Sequence, residues 1–320
     1  MFIYLEKSQK DNIIAKNIIL KFTNVNILEI DNYKNIFDKN ISGSIEKVIV
    51  IAGVNNAILE APTGYGHSGT GYFLKNSLNC IYNCNYCYLK GAFKNDIQVF
   101  FVNYDLMKKQ ILETISRRQN NETIWFYTSD YSDNLATDNL TNFSIEFFPF
   151  FDSLENIKAE IRTKSTNIGN LLKLKPSKNI EIAFSLNPSE VIEKYELKTP
   201  NLDMRIKAIN TLISAGWQVG IRFLPLLEID NYKEVYEKFL DYVVLKIDFS
   251  KVYSVFIGGL LYTKEDYNKI IKKEPYLDLL YKLEDSRDGF VRENREVRDY
   301  FYKLFDEFLK GQKCNRCLDN

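Results

Sequence analysis

Residues 76–93 read NSLNCIYNCNYCYLKGAF, and this stretch sets the expectations for both the fold and the chemistry of the chain. Cys80, Cys84 and Cys87 stand in a C-x3-C-x2-C spacing. Three thiolates this close together can bind three irons of a [4Fe–4S] cluster, which is a thiolate-ligated centre. The fourth iron then has no protein ligand, so a small molecule can bind there and be reduced. The spacing therefore predicts a redox cofactor site.

A zinc site is the alternative interpretation of these cysteines, since Cys3His zinc sites exist. The single histidine, His67, lies upstream of Cys80 in a glycine-rich stretch. Zinc ligands usually come as two halves, each of the CxxC or HxxxH type, and this stretch does not contain two such halves. The spacing therefore favours the iron–sulfur cluster over zinc.

The composition indicates one large domain or two modest ones. The 320 residues are 45% hydrophobic, and the 42 basic side chains equal the 42 acidic ones in number. There is no basic surplus of the kind that marks a nucleic-acid surface. The charged start MFIYLEKSQK is unlike a signal peptide, and no apolar run reaches the roughly 18 residues of a membrane span. We expect a cytoplasmic protein with no membrane association, in which five cysteines indicate metal or redox chemistry.

Strand-like and helix-like segments alternate along the middle of the chain. Strand patterns recur at 71–75, 97–103, 123–129, 157–163, 180–186, 217–227 and 251–259. About six strand–helix units predict a parallel sheet, and right-handed connections curl such a sheet towards a barrel. The expected fold class is α/β, a partial (β/α)6 barrel of the TIM type. The active site of such a barrel lies at the C-terminal ends of its strands.

We expect three regions: an N-terminal appendage over 1–65, the barrel over 66–260, and a charged, helical C-terminal extension over 261–320. The extension ends in a CxxC pair, Cys314 and Cys317. This pair has three open explanations. It is half of a second metal site, a mobile thiol pair that supplies a hydrogen atom or electrons, or an incidental pair on a frayed tail.

Several blocks, in a fixed order over roughly residues 70–260, resemble the spore photoproduct lyase family of radical S-adenosylmethionine (SAM) enzymes. They are CIYNCNYCYLKGAF, YTSDYSDNLATDNLTNF, IRTKSTNIGNLL, IAFSLNPSEVIEKYELKT and LDMRIKAINTLISAGWQVGIRFLPLL. The cysteine spacing, with the aromatic Tyr86 before the third cysteine, is typical of radical SAM enzymes in general. The last two blocks are more specific, since a generic radical SAM protein is not expected to carry SLNPxExIxxYE followed by TxxLDxRIxAxxxLxxAGW.

The resemblance implies a [4Fe–4S] cluster on Cys80, Cys84 and Cys87, with SAM bound at the open iron through its amine and carboxylate. One electron from the cluster cleaves SAM to a 5′-deoxyadenosyl radical, which abstracts hydrogen from the substrate. The implied partner is an electron donor such as flavodoxin or ferredoxin.

The resemblance also implies the residues that bind SAM. Tyr86 corresponds to an aromatic ring against the adenine, and Lys164 to a lysine that reaches the carboxylate or ribose oxygens. Ser185 corresponds to a serine that hydrogen-bonds the ribose or carboxylate. Leu224 corresponds to a position whose backbone meets the adenine.

Two registers compete for the residues that hold the SAM amine. Alignment back from DNLT places Ser132 and Asp133 on the Ser-Asp pair of the family, whereas TSD at 128–130 offers Ser129 instead. We expect Ser132 and Asp133, because this register keeps the distance to Lys164. Other radical SAM proteins give this role to a GGE segment, which this chain lacks.

One departure from the family pattern alters the expected substrate. Spore photoproduct lyases carry a cysteine on the second strand, which returns a hydrogen atom to the repaired thymine radical. Here that position is Asp130, or Tyr127 in the other register, and a carboxylic acid does not readily donate a hydrogen atom. Tyr88, which matches a family tyrosine proposed for radical relay, is retained. We expect Tyr88 and Asp130 to be catalytic.

These observations predict a radical SAM enzyme for an unidentified substrate, which is a small molecule, a peptide or a nucleotide. In this interpretation Asp130 contacts a basic or amine-bearing substrate. Two alternatives stay open: repair of thymine dimers by the lyase mechanism, and a non-catalytic Fe–S or zinc-binding regulatory protein.

Overall fold

A computed structural model describes residues 1–38, 47–118, 122–286 and 288–318. Within these ranges the strands are β1 (Phe2–Glu6), β2 (Asn26–Ile30), β3 (Val48–Ala52), β4 (Ile58–Glu60), β5 (Thr70–Leu74), β6 (Ser77–Leu78), β7 (Asn83–Cys84), β8 (Gln98–Phe101), β9 (Ile124–Tyr127), β10 (Ile157–Thr163), β11 (Ile180–Ser185), β12 (Glu196–Leu197), β13 (Gln218–Leu226), β14 (Ser254–Gly259), β15 (Leu261–Thr263), β16 (Leu283–Asp285), β17 (Phe290–Glu293) and β18 (Cys314–Arg316). The helices are α1 (Ile13–Leu20), α2 (Lys34–Phe37), α3 (Leu89–Ala92), α4 (Tyr104–Ser116), α5 (Asp138–Thr141), α6 (Phe143–Asp152), α7 (Ser189–Tyr195), α8 (Leu202–Ser214), α9 (Tyr232–Lys246), α10 (Lys264–Lys273) and α11 (Arg295–Phe308).

The main sheet runs in the order β18-β14-β13-β11-β10-β9-β5-β4. From β5 to β14 all neighbouring strands are parallel. Strands such as β9 (IWFY) and β11 (IEIAFS) are buried at every position, as expected of a parallel sheet with helices on its outer face. The sheet confirms the predicted partial (β/α)6 barrel, whose parallel strands are β5, β9, β10, β11, β13 and β14.

The N-terminal region forms a second sheet in the order β2-β1-β3-β8-β6. Its strand β8 lies inside the range 66–260 predicted for the barrel, yet it pairs with β3, as in Ile49 with Gln98. Strand β6, which leads into the cysteine stretch, pairs antiparallel with β8. The start of the cysteine stretch is therefore anchored on the N-terminal sheet.

The C-terminal region contains the expected helices α10 and α11, and it also contains strands. Strands β15, β17 and β16 form an antiparallel sheet. The short strand β18 extends the main sheet by pairing in parallel with β14, so that Cys314 lies opposite Val255. The CxxC pair is therefore held by strand pairing and is not on a frayed end. None of the helices in the described ranges combines the length and apolar character that crossing a membrane requires.

Candidate functional site

The three cysteines lie on a loop that is fixed at both ends. Asn79, with a left-handed φ of 62°, precedes Cys80, and its side-chain amide donates to the carbonyls of Asn95 at 2.9 Å and Ile97 at 2.8 Å. At the other end Cys84 pairs with Glu196 across β7 and β12. These contacts turn the loop back on itself and bring the three thiols to one cavity.

This cavity has a volume of about 530 Å³, and Cys80, Cys84 and Cys87 all line it. A zinc ion with Zn–S bonds of about 2.3 Å would hold its sulfurs about 4 Å apart. In the described part of the chain, the compact His/Cys/Asp/Glu trio, with ligand atoms within 4.8 Å of one another, is His67, Glu160 and Glu181, and it does not include the cysteines. Three thiols at one cavity suit the thiolate ligation of an iron–sulfur cluster.

Burial makes these thiols hard to ionise without a metal. It raises the pKa of Cys84 to about 12 and also raises the pKa values of Cys80 and Cys87. The charge of Lys164 works against this increase at Cys84 and Cys87. Because a metal ligand must be a thiolate, metal binding at this loop displaces protons.

Lys164 and Tyr86, both predicted to bind SAM, come together beside this loop. The Lys164 ammonium lies 5.8 Å from the centroid of the Tyr86 ring. Burial would lower the pKa of Lys164, but the charges of Glu196 and Cys84 outweigh it and the pKa is raised. The lysine therefore stays cationic and is suited to an anionic ligand group.

A buried ion pair that the sequence interpretation missed supports these two residues. Glu196 and Arg205 are fully buried and 2.5 Å apart. Glu196 also accepts from the Tyr86 hydroxyl and, at 2.9 Å, from the Asn187 amide, while Arg205 donates to the Ser185 carbonyl at 3.0 Å. All of these residues except Tyr86 lie in the blocks IAFSLNPSEVIEKYELKT and LDMRIKAINTLISAGWQVGIRFLPLL. Polar residues inside these otherwise apolar segments were the signal that could have revealed the network.

Ser185 and Leu224 lie at the C-terminal ends of β11 and β13, the same edge of the sheet as Lys164. Ser185 is 3% exposed. The register between β13 and β14 shifts between Phe223 and Leu226, so Leu224 is not paired with a residue of β14. Backbone groups of this kind are free to meet a ligand.

Asp133 is hydrogen-bonded to the segment that carries Lys164. Its carboxylate accepts from the Thr163 hydroxyl at 2.7 Å and from the backbone N–H groups of Lys164 and Ala136 at 2.8 and 3.0 Å. Asp133 therefore fixes the turn that carries Lys164. The neighbouring Ser132 is buried.

The competing Ser129 lies in the loop after β9. Its hydroxyl is buried and has no hydrogen-bond partner among the described residues. A polar group from a ligand would satisfy it. Both registers of the Ser-Asp pair therefore stay predictions.

Tyr88 and Asp130, the residues predicted to be catalytic, contact each other. The Tyr88 hydroxyl donates to the backbone carbonyl of Asp130, and the Tyr65 hydroxyl donates to the Asp130 carboxylate. Arg162 donates to the Tyr65 hydroxyl at 3.2 Å. Burial raises the pKa of Asp130 to about 6, although Arg162 and the Tyr65 hydrogen bond oppose the increase.

Further inside the barrel, Arg222 binds Glu160 at 2.6 Å and Glu181 at 2.8 Å. His67 lies 2.5 Å from Glu181. Burial would raise the pKa of Glu160, but Arg222 and Arg162 outweigh it and hold the pKa at about 2. The two arginines neutralise the two carboxylates, so this cluster is complete without a metal.

A curled parallel half-barrel with three loop thiols and a half-buried lysine at its C-terminal edge is the arrangement of a radical SAM enzyme. The family model described as spore photoproduct lyase matches residues 3–302. The chain belongs to the spore photoproduct lyase family, whose members are radical SAM enzymes that use a [4Fe–4S] cluster.

Individual relatives are similar over long stretches. The spore photoproduct lyase of Clostridium acetobutylicum is 25% identical over 279 residues, which are 85% of this chain and 82% of that protein. The spore photoproduct lyase of Geobacillus sp. is 27% identical over 167 residues, 52% of this chain and 48% of that protein. A solved spore photoproduct lyase double mutant with bound AdoMet and dinucleoside spore photoproduct has the same fold, with a TM-score of 0.83 and 20% identity over 98% of this chain and 97% of that chain.

Proposed function

We propose that this chain is a radical SAM lyase that reverses the spore photoproduct, a thymine dimer, in DNA. The match to the family model over 3–302 supports this activity over the unidentified substrate that the sequence favoured. That earlier interpretation depended on Asp130 in place of a thiol. The carboxylate of Asp130 already accepts from Tyr65, and Arg162 lies nearby, so an amine-bearing substrate at this position stays a prediction without direct support.

The observation that carries the proposal is the meeting of the thiol loop with Lys164 and Tyr86 at the C-terminal edge of the barrel. Cys80, Cys84 and Cys87 would hold the cluster, which supplies the electron for reductive cleavage of SAM when bound. The Lys164 ammonium binds the SAM carboxylate or ribose, and the Tyr86 ring covers the adenine.

The remaining SAM contacts come from the neighbouring strand ends. Ser185 hydrogen-bonds the ribose or carboxylate, and the Leu224 backbone meets the adenine. The amine is held by Ser132 with Asp133, or by Ser129 in the competing register. In either case Asp133 orients the turn that carries Lys164.

The substrate would approach Tyr88 and Asp130. Tyr88 is 38% exposed, so part of its side chain is accessible to a substrate. Asp130 holds that phenol in place through its backbone carbonyl. A balanced net charge does not oppose binding of a short stretch of DNA, because phosphate contacts depend on local cations and not on the net charge of the whole chain.

The electron donor is proposed to be a small redox protein such as flavodoxin or ferredoxin. The rim of the cysteine cavity carries Lys90, Lys94 and Lys273 beside Asp96 and Glu274. This slight excess of positive charge suits an acidic partner.

The test is anaerobic reconstitution of the chain with iron and sulfide, followed by reduction in the presence of SAM and dinucleoside spore photoproduct. We expect 5′-deoxyadenosine together with the repaired thymidine dinucleotide, and neither product from a Cys84→Ser variant. Formation of 5′-deoxyadenosine without repair would contradict the proposed substrate. Absence of both would favour the regulatory alternative.

A further inference from the structure

Strand β18 brings a thiol to the edge of the barrel where the other site residues lie. It pairs in parallel with β14, so its C-terminal end points the same way as the strand ends that carry Ser185 and Leu224. Cys317 comes directly after β18. Its backbone N–H donates to the Ile257 carbonyl at 3.0 Å, which continues the pairing by one residue.

Cys317 is close to the residues proposed to face the substrate. Its thiol donates to the backbone carbonyl of Tyr65 at 2.9 Å, and the hydroxyl of the same Tyr65 donates to Asp130. With Tyr88 also bonded to Asp130, two phenols contact this aspartate, and the Cys317 thiol is linked to it through Tyr65. These are the side-chain types whose S–H or O–H bonds can give up a hydrogen atom.

The thiol of Cys317 faces the interior of the barrel, whereas Cys314 faces outwards. The charges that act on Cys317 are Arg162, Glu160, Arg222 and Asp130, and burial keeps it protonated by raising its pKa. Cys314 packs against the outer hydrophobic core, and the charge that acts on it is Asp306 of α11. A thiol that donates a hydrogen atom must be protonated and must face the barrel interior where the substrate would bind, and Cys317 meets both conditions.

The backbone around Cys317 leaves room for this approach. A Cβ added at Gly258 would lie 3.6 Å from the Cβ of Cys317 and 2.9 Å from the Leu224 side chain. Gly258 therefore lets the tail pass close to the end of β14, beside the residue proposed to meet the adenine. The buried hydroxyl of Ser129, unpaired among the described residues, marks a place for a ligand group next to Asp130.

We propose that Cys317 is the residue that returns a hydrogen atom to the substrate radical, in place of the thiol that Asp130 replaces on the second strand. This proposal rests on the proposed function, which leaves a carbon-centred radical on the repaired product. The S–H bond of Cys317 breaks and a C–H bond forms on the product, which leaves a sulfur radical on Cys317. One electron from the low-potential donor protein and one proton from water restore the thiol.

The experiment compares wild type, Cys317→Ser and the matched control Cys314→Ser in D2O, with dinucleoside spore photoproduct as substrate. Thiol hydrogens exchange with D2O, so we expect deuterium in the repaired product of wild type and of Cys314→Ser. In Cys317→Ser we expect 5′-deoxyadenosine to persist while the repaired product is lost, because a hydroxyl is a poor hydrogen-atom donor. Equal iron content in the three proteins establishes that Cys317→Ser has folded and loaded.

A second measurement does not depend on turnover. Added dinucleoside spore photoproduct should slow alkylation of Cys317 by iodoacetamide in the reconstituted protein with SAM, at an alkaline pH where the thiolate forms, and leave alkylation of Cys314 unchanged. Repaired, deuterated product from Cys317→Ser at the wild-type level would overturn the proposal. The proposal would also be overturned if a Tyr65→Phe variant lost the repaired product while Cys317→Ser kept it. If wild type forms no 5′-deoxyadenosine, the proposed function fails, and not the role of Cys317. If added substrate does not slow alkylation of Cys317, the role of Cys317 is overturned independently.

Discussion

The Lys164 ammonium lies 5.8 Å from the centre of the Tyr86 ring, although Lys164 directly follows β10 and Tyr86 lies in the cysteine loop. Glu196 joins them, since it accepts from the Tyr86 hydroxyl and raises the pKa of Lys164 by its charge against the opposing effect of burial. The cation therefore stays beside the cysteine loop when no ligand is bound.

Replacement of Lys164 should weaken SAM binding selectively. We expect Lys164→Met to cost about 2 kcal/mol, or about thirtyfold in Kd for SAM, the usual contribution of a hydrogen bond from a charged group. Equilibrium dialysis of the reconstituted protein with labelled SAM measures this effect. Lys158→Met is the control, because Lys158 is on the same strand but binds the Tyr253 hydroxyl on the exposed surface. Equal affinities of the two variants would exclude a role for Lys164 in binding SAM.

The Glu196–Arg205 pair should be important for stability. Its members are fully buried, so Arg205→Met leaves a buried carboxylate without its cation and should lower the free energy of unfolding by about 3–5 kcal/mol. The comparison is Lys194→Met, which breaks the exposed Lys194–Asp278 pair and should cost less than about 1 kcal/mol. Urea unfolding followed by circular dichroism measures both. Similar costs for the two variants would show that the buried network is not what supports the site.

The pH dependence of stability should reflect the buried Glu160. Its pKa of about 2 lies below the ordinary value of 4.5 because Arg222 and Arg162 outweigh burial. The stabilisation is therefore complete above about pH 4.5 and is lost as the pH falls towards 2. We expect Glu160→Gln to flatten the decline of unfolding free energy in this range, whereas the exposed Glu155→Gln keeps it. An unchanged slope in Glu160→Gln would contradict this assignment.

Iron counting distinguishes the two groups of cysteines. Wild type, Cys314→Ser and Cys317→Ser should each bind about four irons per chain after anaerobic reconstitution, as one [4Fe–4S] cluster requires. Cys84→Ser should lose most of this iron. A lower iron content in the Cys314→Ser or Cys317→Ser variant would assign the C-terminal pair to a second metal site.

The two registers of the Ser-Asp pair predict opposite results for two serines. If Ser132 holds the SAM amine, Ser132→Ala should weaken SAM binding by about 1 kcal/mol, the typical net value of a hydrogen bond, and Ser129→Ala should not. Dialysis with labelled SAM decides between them. The reverse pattern would support the buried, unpaired Ser129 hydroxyl as the contact.

Much of the fold could be predicted from local patterns. The strand and helix periodicities are properties of short segments, and they led to the partial barrel that the structure confirms. The partner of each strand is not a local property. Strand β8 has the apolar composition of a barrel strand, yet its pairing with β3 places it in the N-terminal sheet. The five residues of KCNRC around β18 carry no strand pattern at all.

The site residues likewise divide into those that the local sequence reveals and those that only the folded sheet brings together. The thiol loop was recognisable because its ligands are close in sequence. Tyr65 and Arg162 were missed because their partners, Asp130 and Glu160, are assembled by the sheet. The alternation of Glu160 and Arg162 along β10, continued by Lys164 directly after the strand, was a usable signal, since side chains two apart on a strand face the same way. Charged residues at this period mark the polar lining of the barrel.

The activity of this chain is tested most directly by the anaerobic reaction of the reduced, reconstituted protein with SAM and dinucleoside spore photoproduct, followed by chromatography of both products. We expect 5′-deoxyadenosine and repaired thymidine dinucleotide to appear together and to depend on Cys84. A protein that holds a full complement of iron but forms no 5′-deoxyadenosine would contradict this expectation.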